Sequence, residues 1–190
     1  MVDRNPSILK FRSNLPRNKR IYIHESIYEG FRAAIVTFTK TLRVGEGNEE
    51  DVFLGPVQNA MQYEKVKTFF SEIEKENWKV AVGGGISEEQ RGYFINPTIV
   101  DKPAEGSRIV TEEPFGPIVP LLPWSNEDNV IMCANDTESG LGASVWSDDM
   151  DEANRIARQL DAGSFWVNTH IESGPNAPFG GPKESGLGYE

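Results

Sequence analysis

Strand-like runs alternate with amphipathic helical segments along most of this 190-residue chain. The strand-like runs cover residues 20–24, 78–82, 118–122, 142–146 and 163–168. A strand followed by a helix of ten or more residues is typical of a mostly parallel sheet covered by helices. The sequence therefore predicts one domain of the α/β class, with ligand sites at the carboxyl ends of its strands.

Apolar residues at helical spacing predict four helices. The first pattern runs from Ile27 to Leu42 and the second from Tyr63 to Ile73, before Asn77. Ser125 is the expected N-cap of a third helix over residues 127–134, and a fourth carries Ala153, Ile156, Ala157 and Leu160 on one side. The run Tyr93-Phe-Ile95, before Asn96-Pro97, is predicted to form a hairpin with the strand at 78–82.

Charge limits the classes of partner. The chain has 29 acidic and 19 basic residues, a net charge of −10, and 38% hydrophobic residues, which favours a soluble acidic globule. Residues 21–190 are acidic and would repel nucleic-acid phosphates, so nucleic-acid binding is not expected. No apolar run approaches the ~20 residues that span a bilayer, so no membrane span is expected. The first twenty residues are basic, but their prolines and lack of amphipathic period argue against a transit peptide, so we expect a cytoplasmic protein.

Cysteine and histidine are scarce. One cysteine excludes an internal disulfide, and two distant histidines, His24 and His170, argue against a metal site. Cys133 lies on the apolar side of a predicted helix and is expected to be buried and unreactive, and His24 is expected to make a structural hydrogen bond. The glycine clusters lack the spacing of a dinucleotide or phosphate loop and are interpreted as turns.

Two loops carry residues of chemical interest. Residues 111–117 combine two carboxylates and an aromatic ring with prolines and a glycine that restrict the backbone. Residues 176–188 are long, glycine-rich and contain Phe179, which could wall a pocket. On composition alone, functional loops and ordinary ordered connections both remain open.

Seven motifs occur in a fixed order between Lys19 and Glu190. They are Lys19-Arg-Ile-Tyr-Ile-His-Glu25, Gly55-Pro56, Tyr93-Phe-Ile-Asn-Pro-Thr98, Glu112-Glu-Pro-Phe-Gly-Pro117, Ala134-Asn-Asp-Thr-Glu-Ser-Gly-Leu-Gly142 with Val145-Trp146, Trp166-Val-Asn168 and Pro178-Phe-Gly-Gly-Pro-Lys-Glu-Ser-Gly186. Together they resemble the carboxyl-terminal, catalytic-domain portion of the aldehyde dehydrogenase superfamily. Each motif is weak evidence alone, and the ordered set is specific.

The resemblance implies oxidation of an aldehyde by NAD or NADP through a cysteine thiolate, with a glutamate as general base. Glu113 resembles the glutamate that hydrogen-bonds the nicotinamide ribose, and Phe115 resembles the aromatic residue near the nicotinamide. Phe179 resembles an aromatic residue of the aldehyde channel, and Ser173 lies where many members have another pocket residue.

The departures from the family pattern concern the nucleophile. An ungapped count places Leu15 where the family has its cysteine, and the general base and cofactor domain lie further upstream in the family. We therefore expect residues 1–18 to be an altered basic segment at the former nucleophile region and residues 19–190 to be an aldehyde-dehydrogenase-like catalytic domain. Such a truncated protein is predicted not to oxidise aldehydes by itself, and no cofactor is expected for this chain alone.

Two other functions stay open. One is a repurposed, cofactor-free enzyme in which His170, Glu172 and Glu113 perform acid–base chemistry on a small organic substrate in the former aldehyde cleft. The other is a fragment of, or partner subunit for, a full-length NAD(P)-dependent aldehyde dehydrogenase. The corresponding partners are a small-molecule ligand, a second copy or a full-length relative.

Overall fold

The computed structural model describes residues 7–11, 18–86, 92–172, 174 and 176–188. The strands in this part of the chain are β1 (Ser7–Phe11), β2 (Asn18–His24), β3 (Arg43–Val44), β4 (Val52–Leu54), β5 (Lys79–Val82), β6 (Thr98–Asp101), β7 (Ile118–Trp124), β8 (Gly142–Trp146) and β9 (Ser164–Val167). The helices are α1 (Glu25–Thr41), α2 (Ala60–Lys75), α3 (Arg108–Thr111), α4 (Glu127–Asn135) and α5 (Met150–Ala157). The chain forms two compact units, a first unit of Met1–Glu29 with Leu122–Glu190 and a second unit of Gly30–Leu121.

In the first unit, the strand order is β2-β1-β8-β9. β1 is antiparallel to both β2 and β8, and β8 is parallel to β9, so β2, β8 and β9 run in one direction. Helix α5 packs against β8 and β9 and buries Ala153, Ile156 and Ala157. This helix connects the two parallel strands, which is the βαβ arrangement that the alternating sequence pattern predicts.

In the second unit, β6 lies between β5 and β7. β6 is parallel to β7 and antiparallel to β5, while β3 and β4 form a separate parallel pair. The core includes residues of α2, β6, α3 and β7 that are almost fully buried: Val66, Phe69, Val100, Ile109, Val110 and Leu121. In both units most strands share one direction, which confirms the predicted α/β class with a mostly parallel sheet.

The predicted hairpin of residues 78–82 with Tyr93-Phe-Ile95 is wrong. The antiparallel partner of β5 is β6, which begins directly after Pro97. The Tyr93 carbonyl instead accepts a hydrogen bond from the Val57 amide at 2.8 Å. Proline, which has no amide hydrogen, is compatible with the position immediately before a strand, so Asn96-Pro97 introduces this strand and does not end one.

The predicted helices all form, with two corrections. The N-cap of α4 is Asn126 and not Ser125, because the Asn126 side chain accepts a hydrogen bond from the Asn129 amide at 2.9 Å. In α1 the apolar pattern is mostly half-buried, and Phe38 is 57% exposed. The helix instead buries Tyr28 and Thr39.

Strand β1 lies within the basic segment 1–18, for which the sequence predicted no secondary structure of either kind. Its antiparallel pairing with β2 follows one register from Ser7 opposite Ile23 to Lys10 opposite Arg20, and shifts at Phe11. Leu15 lies outside the described residues. In the part of the chain that the structure describes, no helix has both the length and the apolar composition needed to cross a membrane.

Candidate functional site

The segment Glu112–Pro117 lies between α3 and β7 in the second unit and holds an unusual backbone conformation at Phe115. Phe115 has φ = +45°, a conformation that is rare for residues other than glycine and costs about 1–2 kcal/mol. Its side chain is 37% exposed. The neighbouring Glu113 is half-buried, and its Oε2 atom is shielded from solvent. The segment thus presents a carboxylate and an accessible aromatic face on a restrained backbone.

Helix α2 holds this segment at two points. The Gln62 side-chain amide donates a hydrogen bond to the Pro114 carbonyl at 2.8 Å. At Gly116, a Cβ atom would lie 2.6 Å from Cγ2 of the buried Val66. Glycine is therefore required at this close approach, and the segment is packed directly against the helix.

Arg108 connects α2 with the start of the segment. Its Nη1 donates to Oε1 of Glu72 at 2.6 Å and to Oγ1 of Thr68 at 2.9 Å, and its Nε lies 3.1 Å from Oε2 of Glu112. The guanidinium also lies 4.1 Å from the ring centroid of Phe69. Partial burial acts to lower the pKa of Arg108, but the hydrogen bonds and charges of Glu72 and Glu112 raise it overall.

Sequence reasoning located Glu113 and Phe115 in this segment but missed Gln62 and Arg108. For Arg108 there was one local signal, because Glu112 follows it at the i,i+4 spacing of a helical ion pair. For Gln62 no local signal existed, since the carbonyl that it contacts lies 52 residues later.

A second restrained loop follows β9 in the first unit. Asn168 and Ile171 have φ values of +54° and +58°, which is especially unusual for a β-branched residue such as isoleucine. The Asn168 side chain accepts a hydrogen bond from the Ser147 amide at 2.9 Å and donates to the Ser147 carbonyl at 2.7 Å. This side chain therefore continues the strand pairing beyond the end of β8.

His170 and Glu172 lie on this loop and both contact Trp166. His170 Nδ1 is 2.8 Å from the hydroxyl of the fully buried Ser144, and its ring centroid is 6.3 Å from that of Trp166. Burial lowers the pKa of His170, which favours the neutral imidazole. Trp166 Nε1 donates to the Glu172 carbonyl at 2.7 Å, while the Glu172 side chain is exposed. Glu113, the third residue of the predicted acid–base set, belongs to the second unit.

The loop that carries Phe179 is packed main chain against main chain. A Cβ atom on Gly163 would lie 1.8 Å from the Gly180 carbonyl oxygen, and one on Gly181 would lie 2.6 Å from the Gly140 carbonyl oxygen. Phe179 itself is half-buried. The predicted pocket residue Ser173 lies outside the described residues.

Polar contacts fix the same loop further along the chain. Lys183, with φ = +61°, donates to the Asn135 carbonyl at 2.7 Å and pairs with the Asp161 carboxylate at 2.9 Å. The Ser185 hydroxyl accepts a hydrogen bond from the Gly140 amide at 2.7 Å. The loop is therefore an ordered element and not a loose connection.

Cys133 is half-buried, so the prediction of a buried thiol is wrong. It lies on α4, and its Sγ donates to Oδ1 of Asn129 at 3.2 Å. The reason is that the side of α4 bearing Cys133 is only partly covered, although Val130 and Ala134 are buried.

His24 makes the structural hydrogen bond that was expected, since its Nδ1 accepts a hydrogen bond from the Ser26 amide at 3.3 Å. Among the described residues, no three His, Cys, Asp or Glu side chains form a group suited to a metal ion.

The chemistry of the Glu112–Pro117 segment fits part of a dinucleotide. A carboxylate accepts hydrogen bonds from the two hydroxyls of a ribose, and an exposed aromatic face packs against a flat ring. Glu113 and Phe115 supply these two groups two residues apart, on a backbone that α2 restrains.

Comparison with known proteins identifies the class. The aldehyde dehydrogenase family model matches residues 17–190, and the chain belongs to this family. Betaine aldehyde dehydrogenase of Brucella anthropi is 37% identical over 174 residues, covering 90% of this chain and 36% of that protein. The chloroplastic betaine aldehyde dehydrogenase of Amaranthus hypochondriacus is 39% identical over 172 residues, covering 90% of this chain and 34% of the relative.

Solved structures of aldehyde dehydrogenases are also similar to this chain. The NAD⁺ complex of aldehyde dehydrogenase from Bacillus cereus matches with a TM-score of 0.85 and 35% identity, over 90% of this chain and 35% of that chain. An apo betaine aldehyde dehydrogenase from Staphylococcus aureus matches with the same TM-score and 33% identity, over 90% of this chain and 35% of that chain. The chain thus spans about a third of the length of the relatives that it matches.

Proposed function

We propose that residues 19–190 form an aldehyde-dehydrogenase-like catalytic portion that contributes to NAD(P) and aldehyde binding. Glu113 accepts hydrogen bonds from the nicotinamide ribose, Phe115 packs near the nicotinamide, and Phe179 and Ser173 belong to the aldehyde channel. The observation that carries this proposal is the restrained Glu112–Pro117 segment, with its half-buried carboxylate and accessible ring. NAD(P), when bound, supplies the hydride acceptor of the family's reaction.

The same proposal holds that these 190 residues do not oxidise aldehydes by themselves. Covalent aldehyde oxidation needs a cysteine thiolate at the carbonyl. The chain has one cysteine, Cys133, which lies within α4, far in sequence from position 15, where the resemblance places the family's nucleophile. Activity then requires a nucleophile from outside this chain, which a full-length relative acting as partner would supply.

The cofactor role is tested by titrating the purified chain with NADH and following the nicotinamide fluorescence. We expect weak binding that Glu113→Gln weakens by about tenfold or more, because a hydrogen bond to a charged group contributes about 1.5–3 kcal/mol. Glu105→Gln, which changes an exposed glutamate of the same unit, is the matched control and should leave binding unchanged. Equal affinities for wild type and Glu113→Gln would contradict the assignment.

The predicted inactivity is tested with betaine aldehyde, the substrate that the relatives' names suggest first, and with simple aliphatic aldehydes. We expect no aldehyde-dependent formation of NADH at 340 nm from the homogeneous chain, with or without Cys133. Turnover by the wild-type chain that Cys133→Ala abolishes would show that this cysteine is a nucleophile after all. Turnover that survives Cys133→Ala would require a different mechanism.

A second candidate function is cofactor-free acid–base catalysis by His170. The observation that favours it is the neutral imidazole next to the Ser144 hydroxyl and the Trp166 ring, since a neutral imidazole can accept a proton near pH 7. Glu172, whose carboxylate is exposed, would have a secondary role.

Proton exchange in D₂O tests this second function. The chain is incubated with a panel of small ketones and aldehydes, and deuterium incorporation next to the carbonyl is followed by NMR. His170→Asn should abolish any catalysed exchange, and His24→Asn should preserve it. Exchange that is unaffected by His170→Asn, or absent with the wild-type chain across the panel, would exclude the assignment.

A further inference from the structure

We propose that Arg108 is a positioning residue that holds Glu113 and Phe115 in the geometry needed to bind the nicotinamide ribose. This inference rests on the function proposed above. Arg108 acts through Glu112, the neighbour of Glu113. It therefore adds a residue to the binding machinery that the family resemblance did not indicate.

The contacts of Arg108 connect elements that are distant in sequence. Thr68 and Glu72 lie on α2, 40 and 36 residues before Arg108, and Glu112 lies at the start of the restrained segment. A guanidinium has several donors in a fixed planar arrangement, so one side chain can bind all three oxygens at once. The plane also packs over the Phe69 ring at 4.1 Å, which limits its rotation.

The Arg108–Glu72 pair of this network is partly buried, whereas Glu112 is 50% exposed. The side chains of Arg108 and Glu72 are 30% and 19% exposed, so the pair is less screened by water than a surface ion pair. α2 also contacts the far side of the segment, through Gln62 at Pro114 and Val66 at Gly116. Arg108 binds the segment at Glu112, Gln62 binds it at Pro114 and Val66 contacts it at Gly116, so Glu113 and Phe115 each lie between two of these contacts.

The backbone at Phe115 explains why the segment needs this support. A phenylalanine at φ = +45° relaxes to an ordinary conformation unless its surroundings prevent it. Relaxation would rotate the peptide planes next to Phe115 and redirect both the ring and the Glu113 carboxylate. The ribose contact then depends on groups that never touch the ribose.

The Arg32–Asp101 ion pair in the same unit is a control that distinguishes a positioning role of Arg108 from a general contribution to stability. Arg32 Nε binds Oδ2 of Asp101 at 2.8 Å, and its side chain is 32% exposed, close to the value for Arg108. Arg32→Gln therefore removes a comparable half-buried pair without affecting the Glu112–Pro117 segment directly. If Arg108 were merely structural, Arg108→Gln and Arg32→Gln would have the same effects.

The experiment compares wild type, Arg108→Gln, Arg108→Lys and Arg32→Gln in the full chain. Amide hydrogen exchange is read at Glu112, Glu113, Phe115 and Gly116, and NADH affinity is read by fluorescence. We expect at least tenfold faster exchange and about tenfold weaker NADH binding for Arg108→Gln. The lysine variant keeps the charge but replaces the planar guanidinium, whose donors are spread over three nitrogens, with a single compact ammonium, so it should restore neither value. Arg32→Gln should stay within twofold of wild type in both measurements.

Hydrogen exchange tests the positioning role of Arg108, and NADH affinity tests the cofactor function, so the two proposals can fail independently. Exchange in the segment that is the same in Arg108→Gln and Arg32→Gln overturns the proposal, whatever the affinity. If wild type binds no NADH, the cofactor function fails and the exchange data alone support or overturn positioning by Arg108. If Arg108→Gln does not fold, Glu72→Gln and Glu112→Gln each remove one partner, and unchanged exchange in both would overturn the proposal.

Discussion

Gly163, directly before β9, lies so close to the loop at Gly180 that no side chain fits between them. A Cβ atom there would be 1.8 Å from the Gly180 carbonyl oxygen and 2.7 Å from the Gly181 Cα. Both neighbours are main-chain atoms, which cannot move aside by changing rotamer. In Gly163→Ala the loop must therefore retreat by more than about 1 Å to reach an ordinary van der Waals contact.

The expected loss of stability follows from this contact. Overpacking typically costs about 1–3 kcal/mol, and a contact between two main-chain segments belongs at the upper end of that range. For a chain of this size, about 3 kcal/mol corresponds to a fall in Tm of about 6–12 °C.

Thermal unfolding followed by far-UV circular dichroism measures the effect. Gly174→Ala is the matched control, because a Cβ atom at Gly174 would meet nothing within 4 Å, and it should shift Tm by no more than about 2 °C. A Tm for Gly163→Ala as close to wild type as that of the control would refute the packing of the loop on this glycine.

Three further changes probe other parts of the chain. Gly116→Ala should destabilise the fold by about 1–3 kcal/mol in urea unfolding, because the new Cβ would lie 2.6 Å from Cγ2 of Val66; combined with Val66→Ala, the total loss should be smaller than the sum of the two single losses. Lys183→Met should lower the free energy of unfolding by about 1–2 kcal/mol in the same assay by removing hydrogen bonds from the ammonium to two oxygens. Since burial lowers the pKa of His170, the unfolded chain binds that proton more readily, and stability should fall as the pH drops below about 6.5. A Tm series over pH should be flatter in His170→Asn than in the wild-type chain.

Local sequence patterns predicted four of the five described helices and five of the nine described strands, because their signals are contained in a few neighbouring residues. The elements α3, β1, β3, β4 and β6 were not predicted. β8 has the bounds that its residues indicated, and α5 buries the alanines and isoleucine of its apolar stripe. The pairing of β5 was not predictable in this way, since Tyr93 and Phe94 resemble strand residues as closely as Thr98 and Ile99 do. In the structure, the Tyr93 carbonyl is bound by the Val57 amide, and the strand that pairs with β5 begins at Thr98.

In the candidate sites, too, residues in local motifs were predicted and their long-range contacts were not. Glu113 and Phe179 were recognised from motifs, which are local. The contacts that hold these residues were not, because the partners of Arg108 on α2 lie 36 and 40 residues away and those of Gly163 are main-chain atoms of another loop. The half-exposure of Cys133 was missed for a related reason, since a helical pattern indicates a side of α4 but not how completely that side is covered.

The main-chain packing of the Phe179 loop has a consequence for how substrate preference can change. The glycines and Lys183 fix the path of the chain without using the Phe179 side chain. Substitution of Phe179, which is half-buried, therefore leaves these main-chain contacts in place and alters the side chain that the loop carries at this position. In the proposed aldehyde channel, the part of the wall that residue 179 contributes can then change while the path of the loop is kept.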